Sequence, residues 1–210
     1  MHPFLTRLGV RPEIQTYFRP FYRADNFGNL IFPYGDAGEH FGFAFHRLPL
    51  TDDCWLAGNL HFPQVRRVIL SASALDAVSW LNKKYHSFAA TQNLFFVALG
   101  AGISDGQLSW IRRNFSGKKI QLIFGNDLLG RLADLKVAAA LLGRPLSLYM
   151  DGEEKILVQF RSRNFCFSQE TFSLSAFERA AGVRFGVPAS KPLKYNSYFE
   201  ELKAEAGLLI

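Results

Sequence analysis

Between residues 65 and 150 the chain alternates between short apolar runs and longer amphipathic ones. "VRRVILS" is followed by "SALDAVSWLNKKYHSF", "NLFFVALG" by "SDGQLSWIRRNF", and "KKIQLIFG" by "LLGRLADLKVAAALLG"; "RPLSLYM" closes the series. Short uninterrupted apolar runs suit strands covered on both faces, and the longer stretches carry apolar residues at helical spacing. Such alternation predicts an α/β fold, with a parallel sheet, right-handed crossovers and flanking helices. Ser73 is expected to cap the first helix, Ser104 or Asp105 the second, and Gly143 to end the third.

The flanks read differently. Residues 1–63 suggest a small α+β lobe, with a short helix over residues 3–18 and a helix start at Pro12-Glu13. A β-hairpin follows in "GNLIFPYGDAGEHFGFAFHRL": a strand from Asn29 to Tyr34, turn residues in "GDAGE", then a strand on which Phe41, Phe43 and Phe45 alternate. These phenylalanines are expected in the core rather than on a base-stacking platform. "LPLTDDCWLAGNLHFPQ" shows no clear periodicity and is expected to cover the junction between the lobe and an α/β domain over residues 64–151. Residues 152–210 read as an extension packed on that domain. Its expected strands are "EEKILVQF" and "NFCFS", and its expected helices "SLSAFERAAG" and "NSYFEELKAEAGLL".

Composition removes several classes of function. Apolar residues at 49% and charged ones at 20% describe a globule rather than a disordered chain. No apolar run reaches the ~20 residues of a membrane span, and "MHPFLTRLGV" lacks a signal-peptide core, so a cytoplasmic location is expected. Cys54 and Cys166 make neither a zinc motif nor a disulfide framework. His2, His40, His46, His61 and His86 show no metal-ligand spacing. No phosphate-binding glycine loop and no nucleophile elbow occurs.

Charge is concentrated. Residues 64–151 hold eleven Lys and Arg against five Asp, a net +6 that equals the charge of the whole chain. Much of it comes in doublets: Arg66-Arg67, Lys83-Lys84, Arg112-Arg113 and Lys118-Lys119. Such doublets are either solvated strand ends or a face that follows a phosphate backbone.

The ordered series "RRVILSASALDAVSW", "FVALGAGISDGQLSWI" and "KKIQLIFGNDLLGRLADLKVA" resembles the Toprim domain of primases, topoisomerases and related nucleases. The resemblance is strongest to variants beside primase-like modules on plasmids and conjugative elements. Their first strand ends Glu-Ser-Ala-hydrophobic-Asp-Ala, matching Ala72-Ser73-Ala74-Leu75-Asp76-Ala77 everywhere except at the Glu. Their second runs into a Gly and a "Gln-Leu" helix, matching Gly100 or Gly102 and Gln107-Leu108. Their third ends Asp-x-Asp-x-x-Gly-Arg, matching Asp127, Gly130 and Arg131 with Gly125 in place of the first Asp. The hairpin resembles the one that precedes Toprim in primases, so the likeness covers about residues 5–150. A later Lys-Asp-Trp-Asn signature corresponds to Leu193-Lys194-Tyr195-Asn196, with Lys replacing the Asp.

The resemblance implies a nucleotidyl-transfer site in which the Glu moves a proton and the Asp pair helps to hold Mg²⁺. Here the Glu position is Ala72 and the first Asp position Gly125, so no catalytic group and no cofactor is expected. Asp127 and Asp76 read as remnants that cap or favour helix starts. The resulting expectation is an inactive Toprim- and primase-like protein. It would bind single-stranded or duplex DNA, or serve as an assembly component, in replication or mobile-element mobilisation. Arg66, Arg67, Lys83, Lys84, Arg112, Arg113, Lys118, Lys119 and Arg131 are the candidate nucleic-acid contacts. An alternative keeps an enzyme, with Asp36, Asp76, Asp105 and Asp127 converging on Mg²⁺ or Mn²⁺. A third makes the Phe-rich lobe or the C-terminal helices a docking module for a replication or mobilisation protein.

Overall fold

A computed structural model describes all residues except 43, 88–90, 153 and 209–210. The N-terminal segment contains helices α1 (Pro3–Arg7) and α2 (Pro12–Phe18) and a four-stranded antiparallel sheet. Its strands, in spatial order, are β1 (Arg23–Ala24), β2 (Leu30–Tyr34), β3 (Ala37–Phe41) and β4 (His46–Arg47). The hairpin is tighter than the sequence suggests. Tyr34 pairs with Ala37 across a two-residue loop opened by Gly35 at φ 57°, a conformation that glycine adopts without a Cβ penalty. The second strand therefore begins inside the expected turn and ends at Phe41. Phe45 lies beyond it and is 48% exposed, so it does not share a strand face with Phe41. Phe43 lies outside the described residues.

The central sheet is mixed. Its order is β5 (Trp55–Gly58), β7 (Leu94–Ala98), β6 (Arg67–Ser71) and β8 (Lys119–Leu122). The last three are parallel and β5 runs antiparallel along β7. The expected fourth parallel strand is a correction: Ser147–Met150, β9, joins β10 (Ile156–Phe160) and β11 (Arg163–Phe167) in a separate antiparallel sheet. Its partner is the next strand in sequence, reached through a short connection, and such local pairing needs no crossover.

The sheet sorts its side chains by pleat. Ile69, Phe96, Ala98, Trp55 and Ala57 face a core built with α1, α2, the hairpin, α3 (Ala74–Lys84) and α7 (Tyr198–Glu205). Val68, Leu70, Phe95, Val97 and Leu122 face a second core with α4 (Asp105–Asn114), α5 (Leu128–Leu141), α6 (Leu174–Ala181) and the β9–β11 sheet. Residues 1–63 thus share one core with the central sheet. The apolar residues of α7, Tyr198, Phe199 and Leu202, are buried in that same core, so this helix docks on its own chain. Beyond the outer edge at β8, the N–H of Leu122 donates to Pro188 O at 2.9 Å, and the N–H of Ser190 to Leu122 O at 2.8 Å. No helix among the described residues is long and apolar enough to cross a membrane.

Candidate functional site

Parallel sheets place ligands beyond the carboxyl ends of their strands. Here β6, β7 and β8 end toward Ala72, Gly100 and Gly125, which line a cleft of about 520 Å³. Ser73 caps α3: its Oγ accepts the N–H of Asp76 at 2.9 Å, and its hydroxyl donates back to Asp76 Oδ2 at 2.8 Å. The other oxygen of Asp76 accepts the N–H of Phe199 at 2.9 Å, fastening α7 to α3. Burial raises the pKa of this carboxyl, against the hydrogen bonds from Phe199 and Ser73. Asp127 is the N-cap of α5, its Oδ1 accepting the N–H of Gly130 at 2.8 Å.

A fully buried carboxylate does reach this strand end, from within the stretch "GDAGE" expected to form the hairpin turn. Glu39 on β3 accepts the N–H of Ala74 at 2.6 Å and of Leu75 at 3.3 Å, the two free donors that open α3. The Tyr34 hydroxyl donates to its Oε2 at 2.8 Å, and His46 Nε2 pairs with Oε1 at 2.9 Å. The available signal was its spacing with Ala37 and Phe41, which puts all three on one face of β3.

The buried acids Asp76 and Glu39 are committed to the protein's own donors. Magnesium asks for free carboxylate oxygens in octahedral geometry. Both oxygens of Asp76 and both of Glu39 are already accepting hydrogen bonds. Asp36, in the hairpin loop, and Asp105, at the start of α4, are exposed and do not line the cleft that holds Asp76 and Asp127. Among the described residues no three His, Cys, Asp or Glu side chains are placed to share a metal. Gly125 leaves little room for the missing acid, since an added Cβ would stand 2.8 Å from Asn196 O. Its φ is not positive, so the obstacle is the Asn196 segment and not the backbone angle.

The cationic candidates divide into groups. Arg67, Arg112, Lys118 and Lys119 line one cleft of about 410 Å³ on the flank that carries the amino-terminal ends of β6 and β8. No carboxylate lines it among the described residues. Arg67 is steadied by Gln121 at 3.1 Å and Lys118 by Pro63 O at 3.1 Å. Arg66, Lys84 and Arg113 are exposed outside this cleft. Lys83 is taken up by Glu201 at 2.5 Å and Glu205 at 3.6 Å. Arg131 lies elsewhere, donating through Nη1 to Glu170 O and Phe172 O at 3.2 Å each. The chain matches no family model, no curated protein and no solved structure.

Proposed function

We propose that this chain is a Toprim- and primase-like protein without metal-dependent chemistry, which binds nucleic acid as a component of replication or mobile-element mobilisation. The observation that carries the reading is the cleft of four cations with no described carboxylate in its lining. Such a surface attracts a polyanion and releases its counterions on contact. The lack of metal chemistry is supported by the fates of the acids. Asp76, Glu39 and Asp127 hold helix starts together, and Ala72 and Gly125 offer no side chain to transfer a proton or bind an ion.

The test is charge reversal at the cleft. Lys118→Glu/Lys119→Glu should weaken binding of a labelled single-stranded oligonucleotide by at least about tenfold at low salt. Lys84→Glu, outside the cleft, should leave it nearly unchanged. Equal loss in both variants would mean that overall charge, and not this cleft, does the binding.

A further inference from the structure

The sheet of β9, β10 and β11 carries opposite charges at its two ends. Asp151 and Glu154 lie where β9 turns into β10, and Arg161 and Arg163 at the other end, where β10 turns into β11. Phe160 pairs with Arg163 across a two-residue loop, Arg161-Ser162. Both loop residues have positive φ, 49° and 60°, the turn geometry that normally takes Asn-Gly. L side chains are disfavoured at such angles, so this turn presents Arg161 against the local preference of the backbone.

Both arginines are steadied by aromatic rings and keep their charge exposed. The guanidinium carbon of Arg161 lies 5.1 Å from the centre of the Phe160 ring, and that of Arg163 lies 5.1 Å from the Phe165 ring. Phe160 and Phe165 are themselves packed on Phe177 of α6, with ring centres 5.6 and 5.4 Å away. Arg161 and Arg163 are exposed, and neither pairs with a carboxylate among the described residues. Stacking of this kind restrains the side chain and leaves its donors free.

This end of the sheet stands beside the basic cleft. Phe160 also packs against Phe185, with ring centres 6.2 Å apart, and Phe185 lines the basic cleft with Arg67, Arg112, Lys118 and Lys119. Arg161 is therefore two ring contacts away from the cleft lining. Glu178 of α6 accepts the N–H of Phe185 at 2.6 Å and lines a neighbouring cleft, not the basic one.

We propose that the tip of the β10–β11 hairpin is a second contact for nucleic acid, in which Arg161 and Arg163 take phosphates of a strand running out of the basic cleft on its Phe185 side. The proposal rests on the nucleic-acid reading of that cleft and adds a length requirement, because only a strand that extends past the cleft reaches the hairpin. Guanidinium donors match phosphate oxygens, and each phosphate neutralised adds affinity through released counterions.

The experiment uses the full chain and the variant Arg161→Asn/Ser162→Gly/Arg163→Thr. This variant removes both charges while installing the residues that the turn and the strand prefer, so it should melt no lower than the original. Labelled single-stranded oligonucleotides of about 6 and about 16 nucleotides are titrated at low salt and followed by fluorescence anisotropy. The hairpin variant should bind the long strand at least about fivefold more weakly and the short strand as the original does. Lys118→Glu/Lys119→Glu should weaken both. A hairpin variant that binds the long strand as tightly as the original, or loses equally on both lengths, overturns the second contact. If Lys118→Glu/Lys119→Glu still weakens binding in that case, the proposed function stands; indifference to both variants means that both readings fail.

Discussion

Gly130 stands in the first turn of α5, where alanine is ordinarily the better helix former by about 1 kcal/mol. The structure predicts the opposite outcome for Gly130→Ala. A Cβ at this position would lie 2.1 Å from Gly125 O and 2.6 Å from Gly125 N, and Cβ atoms essentially never come closer than 3.0 Å to such groups. The helix start must therefore move by at least 0.9 Å, the difference between 2.1 and 3.0 Å, away from backbone that cannot swing aside. Overpacking of this severity costs about 3 kcal/mol, and the displaced Gly130 N–H loses the Asp127 cap, worth about 1 kcal/mol. Against the propensity gain, the net loss is about 3 kcal/mol, which lowers a urea midpoint by about 1.5 M at an m-value of about 2 kcal/mol/M. Gly106→Ala is the control: it also lies in a first helical turn, and its Cβ would meet nothing nearer than Ser104 Oγ at 3.6 Å. It should be neutral or stabilising by about 0.5 kcal/mol. A Gly130→Ala protein as stable as the original would refute the close seating of α5 on the Gly125 turn. With it would fall the reading of the Asp127–Gly130 motif as a structural turn.

Three other perturbations test separate parts of the site. Asp134 has its pKa raised to about 6 by burial, against the pull of Lys191. A raised carboxyl pKa contributes stability that is full below the unfolded value near 3.8 and lost as pH rises through about 6. The original protein should therefore lose stability between pH 4 and 6 relative to Asp134→Asn, read from urea melts across that range, and a constant difference would contradict the burial. Glu39→Ala leaves the Ala74 N–H and the Tyr34 hydroxyl buried without an acceptor and should cost about 3 kcal/mol in the same assay. Ala72→Glu/Gly125→Asp restores the two acids but meets Asn196 O, so it should melt lower than the original in EDTA and in millimolar Mn²⁺ alike. A large Mn²⁺-induced rise in the original protein would mean that its remaining acids do hold a metal.

Much of the fold is legible in the sequence because the central strands are apolar on both faces. "VILS" and "LFFVA" are short runs rich in β-branched and aromatic residues, which favours buried strands over helices, and Ser73, Ser104 and Asp127 mark helix starts through cap chemistry that acts within three residues. The edge strand Trp55–Gly58 escapes notice because four residues carry too little periodicity, and its partner Leu94–Ala98 lies far along the chain. Ser147–Met150 has strand character in isolation, and nothing local says which sheet it joins. At the site, the losses at Ala72 and Gly125 are visible as letters. The role of Glu39 is not, because it depends on the hairpin folding over the start of α3. The basic doublets likewise give no hint that Lys83 is spent on Glu201, or that Arg67 and Arg112 share a cleft with Lys118 and Lys119.

The most direct test of nucleic-acid binding through the basic cleft is the salt dependence of affinity for a single-stranded oligonucleotide, followed by fluorescence anisotropy. Four phosphates neutralised on a single strand give a slope of about −2.8 in log K against log salt, or about a 50-fold loss between 50 and 200 mM. Lys118→Glu/Lys119→Glu should flatten that slope by about half. Binding that is absent at 50 mM salt, or present with a slope near zero, would contradict a phosphate-tracking role for the cleft.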